Sequence, residues 1–373
     1  MAPGGVVETI EERPDGLLVR FSHRSSPVVV SWRWIRDHSE DPASLDPATT
    51  QRLVDTFAIP HDLAATSTQL TGASIRVTWP DSTPPSVVSV VRLVEAAGLL
   101  PASTLELWAD AVLPDPTPPF HHQQVMSDDG AVREWLESVE RLGFGLVRGL
   151  PPTREAAEAL ARRVGYPRAT IFGAMWTLSS NVADHEDSAY TSSFLEPHTD
   201  GTYSVDAPGL QLFACLERTG TGGESILVDG FAAAERLRAE DPAAFEVLGQ
   251  VDVPCHYLEP GVHLRAARPV LRAGPDGRVA QVSFNNYDRA PFLLDPGLMD
   301  RWYDAYSRFH ELCNQRQHWL VIGLTPGDVL LFDNWRVLHG RMAYTGSRVF
   351  EGCYHNREDF ESRLRVLRHA RHP

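Results

Sequence analysis

Apolar and polar positions alternate in short runs over residues 6–35, as in Gly16-Leu17-Leu18-Val19-Arg20-Phe21 and Val28-Val29-Val30-Ser31-Trp32. That period of two predicts strands joined by turns. A third run, Ser74-Ile75-Arg76-Val77-Thr78-Trp79, is stopped by Pro80. Together these runs predict a small β-rich N-terminal domain covering residues 1–100. Proline then thickens at Pro101, Pro114, Pro116, Pro118 and Pro119, the composition of a connector.

From about residue 120 the period lengthens. Val132, Trp135, Leu136, Val139 and Leu142 share one helical face, and Gly143 to Gly149 follows as a short buried strand. Further helices are expected at 153–164, 231–249 and 297–315. Strands are expected at 209–217, 225–229, 279–285, 328–332 and 347–354. Many strands with a few covering helices predict an α+β unit over residues 101–373, in which helices flank a two-sheet β core.

Charge and composition narrow the function. The formal charge of -15 carries no basic stripe, which argues against a nucleic-acid partner. No apolar run approaches the roughly 20 residues of a membrane span, so no membrane is expected. Cys215, Cys255, Cys313 and Cys353 are scattered and form no CxxC pair, which fits buried thiols in a reducing compartment. Residues 1–8 hold neither a basic segment followed by an apolar run nor the acid-poor composition of a transit peptide. A cytoplasmic location is the expectation.

The candidate chemistry lies in Pro197-His198-Thr199-Asp200-Gly201 and in His339 of Asp333-Asn334-Trp335-Arg336-Val337-Leu338-His339-Gly340-Arg341. In an extended segment residues two apart project to one side, so His198 and Asp200 can chelate one ion together. His339 follows the apolar run Val329-Leu330-Leu331-Phe332, which predicts a core strand. Two imidazoles and one carboxylate can occupy one face of an octahedral ferrous ion and leave the opposite positions for a co-substrate and O₂. With 15 histidines and 49 acidic residues, a His-x-Asp pair also arises by chance, and alone it marks a surface loop more often than a ligand pair.

The flanking residues change that balance. Segments 187–203 and 332–341, with Gly222-Gly223-Glu224-Ser225-Ile226-Leu227-Val228-Asp229-Gly230, resemble the Fe(II)/2-oxoglutarate dioxygenases of the taurine dioxygenase superfamily. Within it the chain resembles the branch holding the trimethyllysine and γ-butyrobetaine dioxygenases, over nearly its whole length. The resemblance implies a double-stranded β-helix (jelly-roll) core. It also implies Fe(II) on His198, Asp200 and His339, with 2-oxoglutarate and O₂ as co-substrates and ascorbate as a supporting reductant. A buried Arg grips the distal carboxylate of 2-oxoglutarate in this family, a task suited to its planar fork of donors. Arg348 is the matching position, Ser225 matches a supporting hydroxyl, and Arg341 is the alternative cation. The implied reaction is hydroxylation of a small molecule with release of succinate and CO₂, and Asp200 leaves no vacated ligand position for a halide.

The same resemblance points to the substrate. A trimethylammonium group is held by aromatic faces, and Phe172, Trp176, Tyr190 and Tyr354 match the relatives' cage, Phe172 standing where a Tyr is usual. Asp187 and Asn285 match the end that takes the amino-acid group, and Asp187 suits an α-ammonium. These matches imply hydroxylation of Nε-trimethyllysine at C3. The alternatives are a γ-butyrobetaine hydroxylase-like enzyme or a tailoring oxygenase of another amino acid or amine, since segments 177–186 and 255–268 depart from the relatives. The relatives' Cys₃His zinc site is expected to be missing, because Trp34-Ile35-Arg36-Asp37-His38-Ser39-Glu40 is followed by no cysteine in the first 200 residues. A homodimer is implied by the resemblance alone.

Overall fold

The computed structural model describes residues 7–22, 26–81, 83–98, 105–108, 119–179 and 191–369. The chain divides into two units, Met1–Ser103 and Thr104–Pro373. In the first, Val7–Arg13, Gly16–Phe21 and Val28–Ser31 form one antiparallel sheet, and Ser67–Thr71, Ser74–Thr78 and Ser86–Ser89 form another. Alternation sends Leu17, Val19, Ile75 and Val77 into a core with Trp32, Ile35 and Trp79, while Arg20 and Arg76 stay exposed.

The turn after helix Trp32–Asp37 is tied down by polar groups. Ser39 Oγ donates to Asp41 Oδ2 at 2.6 Å and accepts from the Val87 amide at 2.9 Å. The Glu40 amide donates to the Val87 carbonyl at 2.7 Å, and its carboxylate meets Arg92 at 3.2 Å.

Two sheets organise the second unit. One runs in the order Leu195–His198, Val337–Arg341, Ser225–Asp229, Leu320–Ile322, all neighbours antiparallel. The other runs Phe120–His121, Phe144–Arg148, Val329–Asp333, Leu210–Arg218, Arg348–His355, Trp176–Ser179, antiparallel except at its first pair. Their facing sides meet in one apolar cluster that includes Leu227, Val337, Leu330, Phe332 and Phe350.

Outside the larger sheet, helices Asp129–Leu142, Arg154–Val164 and Arg357–His369 cover Leu210, Leu212, Val329 and Leu331 through Trp135, Leu160 and Phe360. Outside the smaller sheet, Ile226, Val228 and Leu338 pack with Leu237, Leu248, Trp302 and Phe309. No helix among the described residues is long and apolar enough to cross a membrane.

The single helix expected at 231–249 is two helices, Gly230–Glu240 and Pro242–Gln250. Pro242 has no N–H to continue the first helix, and Asp241 caps the second by accepting from the Ala244 amide at 3.0 Å. The hairpin Asp252–Glu259 with Val262–Pro269 is not among the expected strands, although Val253, Cys255 and Tyr257 alternate with more exposed neighbours.

A buried ion pair clamps the inner strands of the smaller sheet. Arg336, just before Val337–Arg341, donates from Nη2 to Asp229 Oδ2 at 2.7 Å and from Nε to Oδ1 at 3.2 Å. Their side chains are 1% and 0% exposed. Arg336 also donates to the carbonyls of Arg141 and Glu106, and Asp229 caps helix Gly230–Glu240 through the Phe231 and Ala232 amides. Removing one partner of such a pair strands the other charge in a medium that cannot solvate it. Arg336→Met is therefore expected to lower the unfolding free energy by about 3–5 kcal/mol in urea denaturation. A loss below about 1 kcal/mol would show that the clamp does not hold the two strands.

Candidate active site

Strand alternation builds a cavity between the two sheets. Its walls include Gln211, Phe213, Leu330, Phe332, Arg348 and Tyr354 from the larger sheet, and His198, Ser225, Leu227, His339 and Arg341 from the smaller. It encloses about 980 Å³, open space at the mouth included.

His198, Asp200 and His339 come together at one side of this cavity, each offering one donor atom within 4.8 Å of the others. The His-x-Asp pair does not lie in one strand. Leu195–His198 ends on the histidine, and the chain then turns at Gly201, whose φ is +70°. A Cβ at Gly201 would stand 2.4 Å from Pro208 Cδ, so the turn that aims Asp200 requires glycine.

His198 and His339 are direct cross-strand partners. His198 Nδ1 lies 2.8 Å from the Glu196 carbonyl. A carbonyl only accepts, so Nδ1 carries a proton and Nε2 is the ring nitrogen that faces Asp200 Oδ1, at 3.3 Å. His339 Nε2 approaches the same oxygen at 3.7 Å.

Burial alone would raise the pKa of Asp200, but His339, His198 and the Tyr354 hydroxyl reverse that and hold the carboxyl well below its usual range. Burial depresses His339 to about 3, despite the opposing charge of Asp200. A carboxylate beside an unprotonated imidazole is the donor set a divalent metal needs. His198 is shifted the other way: burial lowers it, and the Asp200 contact more than restores it.

Arg348 is 8% exposed and opens the strand Arg348–His355. Among the described residues no carboxylate lies within ion-pair distance of it, and its Nε is buried without a hydrogen-bond partner. Its guanidinium rests on the Phe350 ring, 3.8 Å from the centroid. Burial, then the nearby Arg341, lowers its pKa to about 10. Arg341 donates to the carbonyls of Thr191 and Ser193. Both cations put forward from the sequence line the cavity with Ser225, and they differ in that Arg341 is tied to backbone carbonyls whereas no such bond holds the Arg348 side chain among the described residues.

Phe172, Trp176, Asn285 and Tyr354 also line the cavity, whereas Asp187 and Tyr190 lie outside the described residues. Asn285 turns its amide to Asp288 Oδ2 at 3.0 Å, and the same oxygen accepts from Thr202 Oγ1 at 2.7 Å. Sequence reasoning missed Asp288, Tyr203, Tyr287 and Gln211 in the lining, and Asn334 behind it. Asn334 accepts from the Asp200 amide at 2.8 Å and donates to the carbonyls of Asp200 and Pro208 at 3.1 and 2.9 Å. The sequence signal for Asn334 is its place in the family-like segment 332–341, five residues before His339.

A family model described as "Taurine catabolism dioxygenase TauD, TfdA family" matches residues 114–354. The chain belongs to this family. It is 33% identical over 344 residues to "Trimethyllysine dioxygenase, mitochondrial" of Gallus gallus, an overlap covering 90% of this chain and 82% of that one. It is 29% identical over 395 residues to "Trimethyllysine dioxygenase" of Meyerozyma guilliermondii, covering 96% and 98%. A "Gamma-butyrobetaine dioxygenase" of Pseudomonas sp. (strain AK-1) is 37% identical over 253 residues, covering 67% and 66%. The matched segment of the TauD, TfdA family contains all three metal-competent side chains, Ser225 and Arg348.

One wall of this dioxygenase cavity depends on a missing side chain. Gly352 pairs across strands with Trp176, and a Cβ there would stand 2.1 Å from the indole ring. Gly352→Ala is expected to displace Trp176 and cost about 1–3 kcal/mol by overpacking, measured by denaturation together with a shift in tryptophan emission. Unchanged stability and emission would mean that Gly352 is not what seats the ring.

Proposed function

We propose that this chain is an Fe(II)- and 2-oxoglutarate-dependent oxygenase that hydroxylates Nε-trimethyllysine at C3, releasing succinate and CO₂. The observation that carries the reading is the buried Arg348, without a carboxylate of its own among the described residues, in the cavity that also holds His198, Asp200 and His339. A buried guanidinium lacking an anion is costly, and the distal carboxylate of a dicarboxylic co-substrate answers it with two charge-assisted bonds.

His198 Nε2, Asp200 Oδ1 and His339 Nε2 would hold the ferrous ion, which when bound supplies O₂ activation and the oxidising power for an unactivated C–H bond. The chain's own residues do the rest. Arg348 and Ser225 fix the co-substrate, and the apolar wall of Leu227, Leu330 and Phe332 excludes water from that end. Phe172, Trp176 and Tyr354, with Tyr190, present π faces to the quaternary ammonium, while Asn285 and Asp187 take the amino-acid end. The relatives' names favour trimethyllysine, and γ-butyrobetaine is the second substrate they suggest. Ascorbate as supporting reductant is carried by the family resemblance.

We read the two facing antiparallel sheets as a double-stranded β-helix with flanking helices, spanning a catalytic domain of residues 101–373 after a β-rich domain of 1–100. We assign the small domain no structural zinc. Its apolar core and the Ser39, Asp41 and Glu40 network support that reading, because together they supply the cross-links a metal would otherwise provide. Four free, buried cysteines suit a reducing compartment, here the cytoplasm. A homodimer follows from the resemblance.

Purified protein given Fe(II), ascorbate and 2-oxoglutarate is expected to release succinate and a singly oxygenated product with trimethyllysine, followed by mass spectrometry. Turnover with γ-butyrobetaine and none with trimethyllysine would reverse the substrate choice. Arg348→Met is expected to raise the KM for 2-oxoglutarate at least about tenfold, the scale of a lost charge-assisted pair; an unchanged KM would remove Arg348 from the co-substrate site. Metal analysis of the protein as purified is expected to find no tightly held zinc, and one equivalent per chain would refute the zinc-free assignment.

A further inference from the structure

We infer that Gln211 and Tyr354 are positioning residues that hold Asp200 as a one-oxygen metal ligand. The inference deepens the iron-site reading above and rests on Asp200 being a ligand.

Gln211 and Tyr354 are direct cross-strand partners on Leu210–Arg218 and Arg348–His355, so their side chains must emerge on the same face of the larger sheet. Both reach across the cavity to one atom. Gln211 Nε2 donates to Asp200 Oδ2 at 2.9 Å and the Tyr354 hydroxyl donates to it at 2.8 Å. Oδ1 is the atom that faces the imidazole nitrogens of His198 and His339, at 3.3 and 3.7 Å. One carboxylate oxygen is thus assigned to the opposite sheet and the other to the metal side. Two donors on Oδ2 oppose its swinging round to chelate, which would occupy a position the co-substrate and O₂ require.

The Gln211 amide can take only one orientation here, because a carboxylate accepts and cannot donate. Its Oε1 is then buried with no partner among the described residues, in a residue 2% exposed. An orphaned buried acceptor weakens a fold, so what this position provides is the bond to Asp200. Tyr354 contributes twice: its hydroxyl orients the carboxylate while its ring lies 5.5 Å from that of Trp176 in the cavity wall. Partners of this kind tune metal affinity without touching the ion.

The test uses Mn(II) as the probe, with free Mn(II) followed by EPR on the full chain. In Tyr354→Phe, which keeps the ring, and in Gln211→Leu, the Kd for Mn(II) is expected to rise at least about tenfold, with an altered spectrum of the bound ion. A merely structural role would lower the melting temperature of the metal-free protein and leave the Mn(II) Kd and spectrum unmoved. Kd values within about twofold of the unsubstituted protein in both variants would overturn the inference while leaving the iron site standing. Failure of the unsubstituted protein to bind Mn(II) would instead overturn the iron-site reading, and this inference with it.

Discussion

Arg336, Asp200 and Arg348 in the second unit are largely withdrawn from water, and the way each is answered arranges the groups around it. Removing an ion from water is costly unless partners and donors replace its hydration. Arg336 is answered within the chain by Asp229 and two backbone carbonyls, which welds the strands that carry Ser225 and His339. Asp200 is answered by two imidazoles, an amide and a phenol. Arg348 receives only aromatic faces among the described residues. The first is structure, the second is a structure poised for a metal, and the third is a demand that an anion from solution can meet.

The two-residue period of a strand separates these roles from the core. Along Leu210–Arg218, Leu210, Leu212 and Ala214 pack against the helices, while Gln211, Phe213 and Cys215 face the other sheet. Arg348–His355 repeats the division, with Cys353 on the helix side and Arg348, Phe350 and Tyr354 inside. A slip of one residue in either strand would exchange the two sets and present the apolar set to the cavity. The tight helix packing outside therefore protects the register of the polar groups inside.

This division explains what was legible beforehand. Strands near 209–217, 328–332 and 347–354 could be read because both of their faces are apolar or functional and the runs are long. The His198, Asp200 and His339 set could be read because its flanking residues carry a family pattern, and the spacing of the pair was informative although the chain turns between the two ligands. Gln211 was not legible: a glutamine inside an apolar strand acquires meaning only when Tyr354 is paired beside it from 143 positions away. Asn334 is the same case, since its bonds join a loop 134 residues distant. The break at Asp241-Pro242 is written in the sequence but masked by apolar spacing that runs on through it.

Aromatic residues show why composition alone is a poor guide to a cation site. Arg289 lies 5.3, 5.5 and 5.4 Å from the ring centroids of Trp302, Tyr303 and Tyr306, so that cage is filled by the chain's own guanidinium and cannot recruit another cation. In the cavity no guanidinium of the described residues stacks on Trp176 or Tyr287. The two aromatic groups are alike in residue type and differ in whether the fold supplies the charge. An aromatic surface becomes a binding site for a quaternary ammonium where the chain keeps its own cations away. Here Arg289 stacks on its own aromatic residues while its neighbour Asp288 lines the cavity, so two adjacent residues place a positive charge outside the lining and a negative charge within it.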